Sequence, residues 1–563
     1  MISAIRNDAG KIGDAPAHYA TGRIYFALQD YENSKDHLQK AWNAGYKTPD
    51  VAYALGLTLG ALYQREFQQI ERFEIPAGKE AAKKRLDQKY RIPALNYLKE
   101  SKGLELESVD YEMALLSFYQ KNYKDALNHA AKAFQKSPWF YESKILEGDI
   151  YQANGYEQIL SGKYDLAAEN FRKAEESYSS SSKIAASDVR TYEGICSLRN
   201  NLFYIEFVTK TQQVPVHFQK AIEACGQALK ADPDSAEVHL QLSKMYWLYA
   251  SYQAAAGQDN NASLMKSLQS GEKAVALDPK NVVSHTTLGI SYWEQGKQQM
   301  VFGKDPTDSF QKSIQNCKKA LEFDPNSLAA NNALGVTYME LGNYETESGK
   351  DPTTSLKMAV TTFRKVHEQS PTYLNAVINL GITNSLTATY EMNHGKNPTQ
   401  FFKEAESALQ AGLKLSPNLP FSYYHLVLLS TGIVQYGLWF DQDVEKDFEK
   451  GKEYFDQGIK INPSYEPLYW AVSSLYLLRG QFALNHNLSP EDYLDLANKF
   501  AEKSLSFDPS SPWDYENIVK SSILDAEWKL RNKQNPSSSL QKVKASISQI
   551  TKITGESAAT HDE

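Results

Sequence analysis

The sequence has few cysteines, three among 563 residues, and it has no long apolar run. Three cysteines cannot build a disulfide framework for a chain of this length. No window approaches the roughly 18 to 20 consecutive apolar residues of a membrane-spanning helix, and residues 1–22 lack the apolar segment of a secretory signal peptide. We therefore expect a cytoplasmic protein that has no membrane partner.

Basic residues are not in excess. The chain contains 60 Lys and Arg against 68 Asp and Glu, which gives a net charge of −8 and a pI of about 5.9. Proteins that bind nucleic acids concentrate lysine and arginine, because these residues release the counterions of the phosphates. This charge balance predicts that nucleic acid is not a partner.

The sequence also lacks the linear motifs of common chemistry. It has no glycine-rich phosphate loop, no His-Glu-x-x-His helix, no paired-cysteine motif and no Gly-x-Ser-x-Gly elbow. His239 and His285 share one repeat position, which Asn331 and Tyr423 take in other units, and this indicates packing rather than metal binding. We predict no catalytic residue, cofactor, metal or small-molecule substrate. An enzyme whose site forms no linear motif is the alternative.

What the sequence does contain is an internal repeat of 46 residues. In the unit 325–370, two apolar-periodic runs flank a turn that contains Gly349, Asp351 and Pro352. Glycine suits the left-handed position after a helix, aspartate suits an N-cap, and proline suits the first helical position, so each unit is two antiparallel helices. Eight units begin at Ser187, Pro233, Pro279, Pro325, Pro371, Pro417, Pro463 and Pro509.

Two repeat positions predict the core. Cys225 and Cys317 share a position that is Phe363 or Leu409 in other units, and Cys196 takes the position of a leucine, so we expect buried apolar side chains rather than metal ligands. A second position is large in all eight units and is predicted to face the core. Its members are Phe218, Leu264, Phe310, Leu356, Phe402, Phe448, Leu494 and Leu540.

The length also favours an array, because 563 residues exceed what one hydrophobic core supports. The expected fold is an all-α, right-handed superhelical α-solenoid of about twelve antiparallel helix pairs, each contacting only its neighbours. We expect four irregular pairs in 1–180, a serine-rich linker or bent joint at 177–182, eight extended units in 187–554 with the last as a cap, and a frayed polar tail at 555–563.

The repeats carry a resemblance to a known family. The Leu-Gly pairs, among them Leu334-Gly335, make the whole array similar to tetratricopeptide repeats. The opening and residues 139–148 also resemble the repeat region that follows the catalytic domain in certain bacterial serine/threonine kinases. This chain has no catalytic-loop His-Arg-Asp and no Asp-Phe-Gly, so kinase activity does not carry over. The opening residues of this resemblance are His18, Tyr19, Ala20, Gly22, Ala41, Trp42, Gly45, Tyr46, Thr48 and Pro49.

The resemblance implies a protein-interaction scaffold, whose partner is a protein or peptide bound in a concave groove. The kinase resemblance implies in addition that the scaffold is the sensor or recruiting half of a bacterial serine/threonine kinase system. A structural assembly subunit is a further alternative. In tetratricopeptide arrays the first helix of each pair lines the groove, where aromatic side chains make good anchors. The alternative for these side chains is burial by the lengthened helices. The candidate partner-binding residues are Trp247, Trp293 and Met339 in one row and Asn332, Tyr424 and Trp470 in another.

Overall fold

A computed structural model of the protein describes residues 13–28, 30–73, 83–101, 109–160, 163–209 and 214–559. Within these ranges it consists of 24 α-helices without a strand, and a π turn, Asp87–Arg91, leads into α4. Consecutive helices pack as antiparallel pairs, so the protein is an all-α solenoid of twelve pairs, as predicted.

The first eight helices form four pairs of unequal length. They are α1 (Asp14–Ala27), α2 (Tyr31–Asn43), α3 (Pro49–Phe73), α4 (Ile92–Glu100), α5 (Val109–Tyr119), α6 (Tyr123–Lys136), α7 (Glu142–Leu160) and α8 (Tyr164–Ile184). The remaining pairs are more regular. They are α9 (Val189–Thr209), α10 (Val214–Ala231), α11 (Ala236–Ala255), α12 (Asn261–Leu277), α13 (Val282–Val301), α14 (Thr307–Phe323), α15 (Leu328–Glu347), α16 (Thr353–Gln369), α17 (Leu374–Asn393), α18 (Thr399–Leu415), α19 (Pro420–Trp439), α20 (Glu445–Ile461), α21 (Glu466–Asn485), α22 (Glu491–Leu505), α23 (Pro512–Arg531) and α24 (Ser537–Ala559).

The 46-residue period is confirmed by the helix boundaries. The first helices of the last seven pairs each contain 20 residues, and each begins 46 residues after the one before it. The second helices begin with the same period, from Asn261 to Ser537. A constant period places equivalent side chains at equivalent contacts, so one pair describes the packing of the others.

The turn inside each pair differs from the prediction by one residue. Gly349 has a φ of 69°, the left-handed conformation expected after a helix. Asp351 accepts a hydrogen bond from the Thr353 N–H at 2.9 Å, but Pro352 is the N-cap and α16 begins at Thr353. Aspartate thus makes a turn with the residue two positions later instead of capping the helix itself.

Large side chains of the second helices pack against small residues of the first helices. A Cβ on Gly342 would lie 2.7 Å from Leu356 Cδ2, and a Cβ on Gly296 would lie 2.4 Å from Phe310 Cε1. Both distances are shorter than any tolerated carbon contact, so the glycine is required for the two helices to approach this closely.

The predicted large position faces the core in six of the eight units. Leu264, Phe310, Leu356, Phe402, Phe448 and Leu494 are buried. The prediction is wrong for Leu540, which is 51% exposed, because no further helix pair covers α24 in the described part of the chain. Phe218 is only partly buried and stacks on Tyr249, with 3.9 Å between the ring centroids.

The serine-rich stretch 177–182 is helical, so its interpretation as a linker or bent joint is wrong. It lies within α8, where the Ser177 and Ser180 hydroxyls donate to carbonyls four residues earlier. Tyr178 is fully buried, and a Cβ on either Gly148 or Gly194 would collide with its ring. One large side chain between two glycines therefore outweighs the low helix propensity of serine.

The three cysteines are buried, as predicted, but two of them are bonded. Cys196 in α9 and Cys225 in α10 form a disulfide, with 4.6 Å between their Cα atoms. No such bond was predicted, because the two residues belong to different repeat positions. Cys317 is free and lies against Gly289, and burial raises the pKa of its thiol to about 12.

The contacts divide the chain into two compact units, one ending at Thr337 and the other beginning at Tyr338. The predicted division near residue 180 stays a prediction. The same holds for the frayed tail, because α24 continues to Ala559 and 560–563 lie outside the described residues. The prediction that each pair contacts only its neighbours is wrong for the first unit. There Arg65 in α3 forms an ion pair with Asp278, which follows α12.

We predict that Leu356→Ala lowers the local free energy of unfolding by on the order of 2 to 5 kcal/mol, because it leaves a cavity against Gly342. Amide hydrogen exchange in α15 and α16 measures this loss. Leu540→Ala is the matched control, since the residue has the same repeat position but is exposed. We expect a loss below about 0.5 kcal/mol there. Equal losses would contradict the packing described here.

We predict three different thiol counts for this protein. The native protein should expose none, because Cys317 is buried and its thiol is protonated at neutral pH. The unfolded, unreduced protein should show one thiol, and the unfolded, reduced protein three. Labelling with a thiol reagent followed by mass spectrometry gives each number. Three thiols without reductant would show that the disulfide does not form.

Candidate functional site

Three first helices of the second unit carry very few charges. The forty residues of α17 and α19 contain one charged side chain, Glu391, and α21 contains only Glu466 and Arg479. Arg479 is largely buried and is bound to Glu445, with 2.7 Å between Nη2 and Oε2. These three helices therefore present a face of apolar, aromatic and uncharged polar side chains.

An aromatic cluster lies at the start of α19 and α21, and it consists of Phe421, Tyr424, His425 and Trp470. The Tyr424 and Trp470 rings are 6.5 Å apart between centroids, and the Tyr424 and His425 rings are 4.8 Å apart. Phe421 packs edge-on against His425 at 4.4 Å. The structure thus brings together two residues predicted for the partner site.

The cluster is partly open to solvent. Phe421 is 38% exposed, whereas Tyr424 and Trp470 are half-buried and pack against the core formed by Phe448 and Leu475. Burial, followed by the nearby Tyr465 and Glu466, raises the pKa of Tyr424 to about 12. The core thus holds each ring on one side, and the rest of the ring surface is partly exposed to solvent.

His425 is uncharged in this environment. Burial alone lowers the pKa of its ring to about 4. Its Nε2 atom is buried and has no hydrogen-bond partner among the described residues. The ring therefore acts as an uncharged aromatic member of the cluster, and its buried Nε2 atom makes no hydrogen bond within the described residues.

Half-buried side chains extend from the cluster along both helices at spacings of three and four residues, which places them on one helix face. We call this face, with the aromatic cluster, the strip. It offers rings, leucines, hydroxyls and amides. Besides Tyr424 and Trp470 its members are Leu428, Thr431 and Gln435 of α19 and Ser474, Leu478 and Gln481 of α21.

The other predicted residues do not join this cluster. Trp247 packs against the core around Cys225, and Trp293 lies under the Lys297 ammonium, 4.6 Å from the ring centroid. Asn332 is half-buried, and its Oδ1 has no hydrogen-bond partner in the described ranges. Met339 is only 9% exposed, so its side chain packs in the core instead of lining an open surface.

Sequence reasoning missed Phe421 and His425. Both lie on the same turn of α19 as Tyr424, in the run Phe-Ser-Tyr-Tyr-His at 421–425. A repeat position relates equivalent residues of different units, and it does not reveal a group of neighbouring residues within one unit. A local concentration of aromatic residues at the start of a first helix was the available signal.

The described residues offer neither a metal site nor a membrane-spanning helix. They contain no group of three His, Cys, Asp or Glu that could hold a metal ion. No helix among them is long and apolar enough to cross a membrane. Lys244 in α11 is 1% exposed, so its ammonium does not lie on an open surface.

Comparison with protein families gives two partial matches. Residues 15–42 match the tetratricopeptide repeat, and residues 199–350 match the family described as regulator of microtubule dynamics protein 1-3. Residues 15–42, which cover most of α1 and α2, are thus similar to a tetratricopeptide repeat, and antiparallel helix pairs continue through the described part of the chain. A comparison with curated protein sequences found no match.

Several solved structures are similar to this chain at low identity. Human IFIT1, solved as a dimer with m7Gppp-AAAA, is 14% identical with a TM-score of 0.41, and the match covers 87% of this chain and 94% of that chain. Yeast Tom70 is 13% identical with a TM-score of 0.35, covering 93% and 97%. The Thermus thermophilus tetratricopeptide protein TTC0263 is 16% identical with a TM-score of 0.29, covering 42% and 98%. Nothing about function follows from these values.

We predict that His425 makes the second unit less stable as the pH falls. The folded pKa of about 4 lies below the ordinary 6.5, so the unfolded chain binds the proton more readily between these values. The stabilisation is complete above pH 6.5 and is lost as the pH falls towards 4, by on the order of 1 to 3 kcal/mol.

The variant His425→Asn tests this prediction, because Asn379 occupies the same position in the preceding pair. The difference in unfolding free energy between wild type and variant should change between pH 6.5 and 4 and should be constant above pH 7. A constant difference over the whole range would show that the His425 ring is not desolvated.

Proposed function

We propose that this protein is a protein-interaction scaffold and that the strip binds a segment of a partner protein. The observation that supports the proposal is the aromatic cluster, in which core residues hold the rings while α17, α19 and α21 around it carry almost no charge. Rigid aromatic side chains provide a large contact area at a small loss of conformational entropy.

The side chains of the strip suit a peptide main chain as well as apolar side chains. The Gln435 and Gln481 amides carry donors and acceptors at helical spacing between the apolar residues. The Thr431 hydroxyl already donates to a carbonyl of its own helix but can still accept. A segment that places an apolar side chain against Tyr424 and Trp470 can bond its main chain to these groups. The proposed partner therefore binds through a few apolar anchors.

Charge favours a partner segment without acidic residues. Arg479 is the one cation of the three helices, and it is already bound to Glu445. Glu391 is likewise paired with Lys396, at 3.1 Å between Oε1 and Nζ. An apolar segment of low charge therefore suits these helices, and an acidic segment finds no unpaired cation on them. Nucleic acid is disfavoured for the same reason.

The remaining predicted residues are proposed as a second contact region. Trp247, Trp293 and Asn332 belong to the first unit, in which the rings are half-buried on α11 and α13. We also keep the proposal that the irregular pairs in 1–180 and the extended units in 187–554 serve as separate segments of the scaffold. Substituting Trp293 alone separates this region from the strip.

The match of residues 199–350 favours a second candidate, a role in microtubule dynamics. Co-sedimentation of the purified chain with assembled microtubules tests it directly. Saturable binding would support this candidate, and a chain that stays in the supernatant at all tubulin concentrations would exclude it.

The resemblance to kinase-associated repeats gives a third hypothesis, in which the chain is the sensor or recruiting half of a bacterial serine/threonine kinase system. It rests on the sequence of the opening and of residues 139–148 alone. Co-purification of a serine/threonine kinase with the chain from its native cell would support the hypothesis. A stable assembly of fixed stoichiometry that lacks any exchanging partner would instead indicate a structural subunit.

The compartment is part of the proposal. The sequence predicts the cytoplasm, whereas a disulfide such as Cys196–Cys225 is typical of proteins that fold in oxidising compartments. We propose that the bond persists in either place because both cysteines are fully buried from reductants. The thiol count of protein isolated under acid quench from its native cell tests this statement.

We predict that Tyr424→Ala with Trp470→Ala abolishes partner binding and leaves the melting temperature within a few degrees of wild type. Affinity capture from the native cell with mass spectrometry identifies the proteins bound by wild type, and titration with the purified partner measures affinity. A loss of more than tenfold is expected, about 1.4 kcal/mol or more. Trp513→Ala is the matched control, an exposed tryptophan on α23 outside the strip.

Two outcomes would contradict the proposal. Unchanged affinity in the double variant, with Trp513→Ala also unchanged, would place the partner elsewhere. A large fall in melting temperature would show that Tyr424 and Trp470 are core residues, as the alternative in the sequence analysis states.

A further inference from the structure

The second and third helices of the first unit touch the link between α12 and α13. Arg65 in α3 pairs with Asp278, at 3.2 Å between Nη1 and Oδ2, although the residues are 213 positions apart. Arg65 Nη2 also lies 3.8 Å from Glu32 Oε1 in α2. The arginine thus connects the first and second helix pairs to the link between the sixth and seventh.

A second contact lies beside the first. Lys280 Nζ is 3.7 Å from Asp36 Oδ2, and it donates a hydrogen bond to Asn33 Oδ1 at 3.3 Å. Both acceptors belong to α2, and Lys280 follows Asp278 by two residues. The two contacts therefore join the same two regions of the chain.

The two contacts differ in exposure. The Arg65 and Asp278 side chains are 10% and 14% exposed, whereas those of Lys280 and Asp36 are 47% and 45% exposed. Salt screens exposed pairs strongly and buried pairs weakly. We therefore expect the Arg65–Asp278 ion pair to depend little on ionic strength and the Lys280–Asp36 ion pair to weaken as the salt concentration rises.

Burial acts against both charges of the inner pair. It raises the pKa of Asp278 by more than the neighbouring Arg65 lowers it. It also opposes the charge of Arg65, but the carboxylates of Glu66, Asp278 and Glu32 outweigh this effect and keep the pKa of Arg65 above its usual value. Removal of either partner leaves a charge without compensation in a desolvated place.

Contact over such a distance is unusual for a repeat array, in which each pair ordinarily touches its neighbours. Here the first two pairs return to the sixth and seventh. Burial, followed by Glu193 in α9, raises the pKa of the Tyr31 hydroxyl at the start of α2, and Arg190 and Arg65 oppose this shift.

We propose that Arg65, Asp278, Glu32, Lys280 and Asp36 form an ionic clasp that holds the first two helix pairs against the link between the sixth and seventh pairs. Local opening of either region then requires the clasp to break, so the two regions open together. The proposal concerns the first unit and does not depend on binding at the strip.

Amide hydrogen exchange of the full-length chain tests the clasp from both sides. Arg65→Ala should increase exchange at least tenfold in α2 and also at residues 278–282, which are far from the substitution in sequence. Asp278→Asn should give the reciprocal pattern, with faster exchange in α2 and α3. The conservative variant Arg65→Lys, which keeps a cation beside Asp278 and Glu32, should retain most of the protection. Arg172→Ala is the control, since Arg172 pairs with Glu169 and Glu176 within one helix.

Lys280→Ala keeps the test decisive if removal of Arg65 unfolds the unit, because this outer pair is exposed and its loss is mild. It should increase amide exchange moderately in α2. The exchange rate in α2 should then no longer depend on ionic strength. Changes confined to the side of each substitution in Arg65→Ala, Asp278→Asn and Lys280→Ala would overturn the proposal. So would a loss of protection in Arg65→Lys as large as that in Arg65→Ala, in a chain that remains folded.

Discussion

The close contact of a large second-helix side chain with a glycine or alanine of the first helix is the constraint on which the other features of the array depend. Leu356 against Gly342 and Phe310 against Gly296 allow two long helices to approach along their whole length. The burial of Leu264, Phe310, Leu356, Phe402, Phe448 and Leu494 follows from this approach. The strip lies on another face of the first helices, where the side chains are only half-buried.

Much of the fold could be predicted because its information is local and periodic. Proline, glycine and aspartate at a fixed spacing predicted the 46-residue period and the turn at Gly349, and the helix boundaries agree. Contacts between distant repeat positions could not be found in this way. The Cys196–Cys225 bond joins two different positions, and the Arg65–Asp278 pair depends on how several pairs wind together. The serines of 177–182 were misinterpreted because the tertiary contact of Tyr178 decides their conformation.

The candidate site was less accessible to sequence reasoning than the fold. Tyr424 and Trp470 were identified from their repeat positions, and the structure places their rings 6.5 Å apart. The same rows included Met339, which is buried, because a repeat position specifies a helix face but not how deeply each side chain is covered. Phe421 and His425 belong to no row and complete the cluster only in three dimensions. The desolvation that keeps His425 neutral is likewise a property of its packing.

The central claim is that Leu356 requires a glycine at position 342, as Phe310 requires Gly296, and a substitution of Gly342→Ala in two backgrounds tests it. In wild type the new Cβ would lie 2.7 Å from Leu356 Cδ2, so the account predicts a loss of local stability in α16, measured by hydrogen exchange. In the Leu356→Ala background the clash is absent, and the same substitution should stabilise the helix by up to about 1 kcal/mol, because alanine favours a helix over glycine. An effect of the same sign and size in both backgrounds would contradict the account.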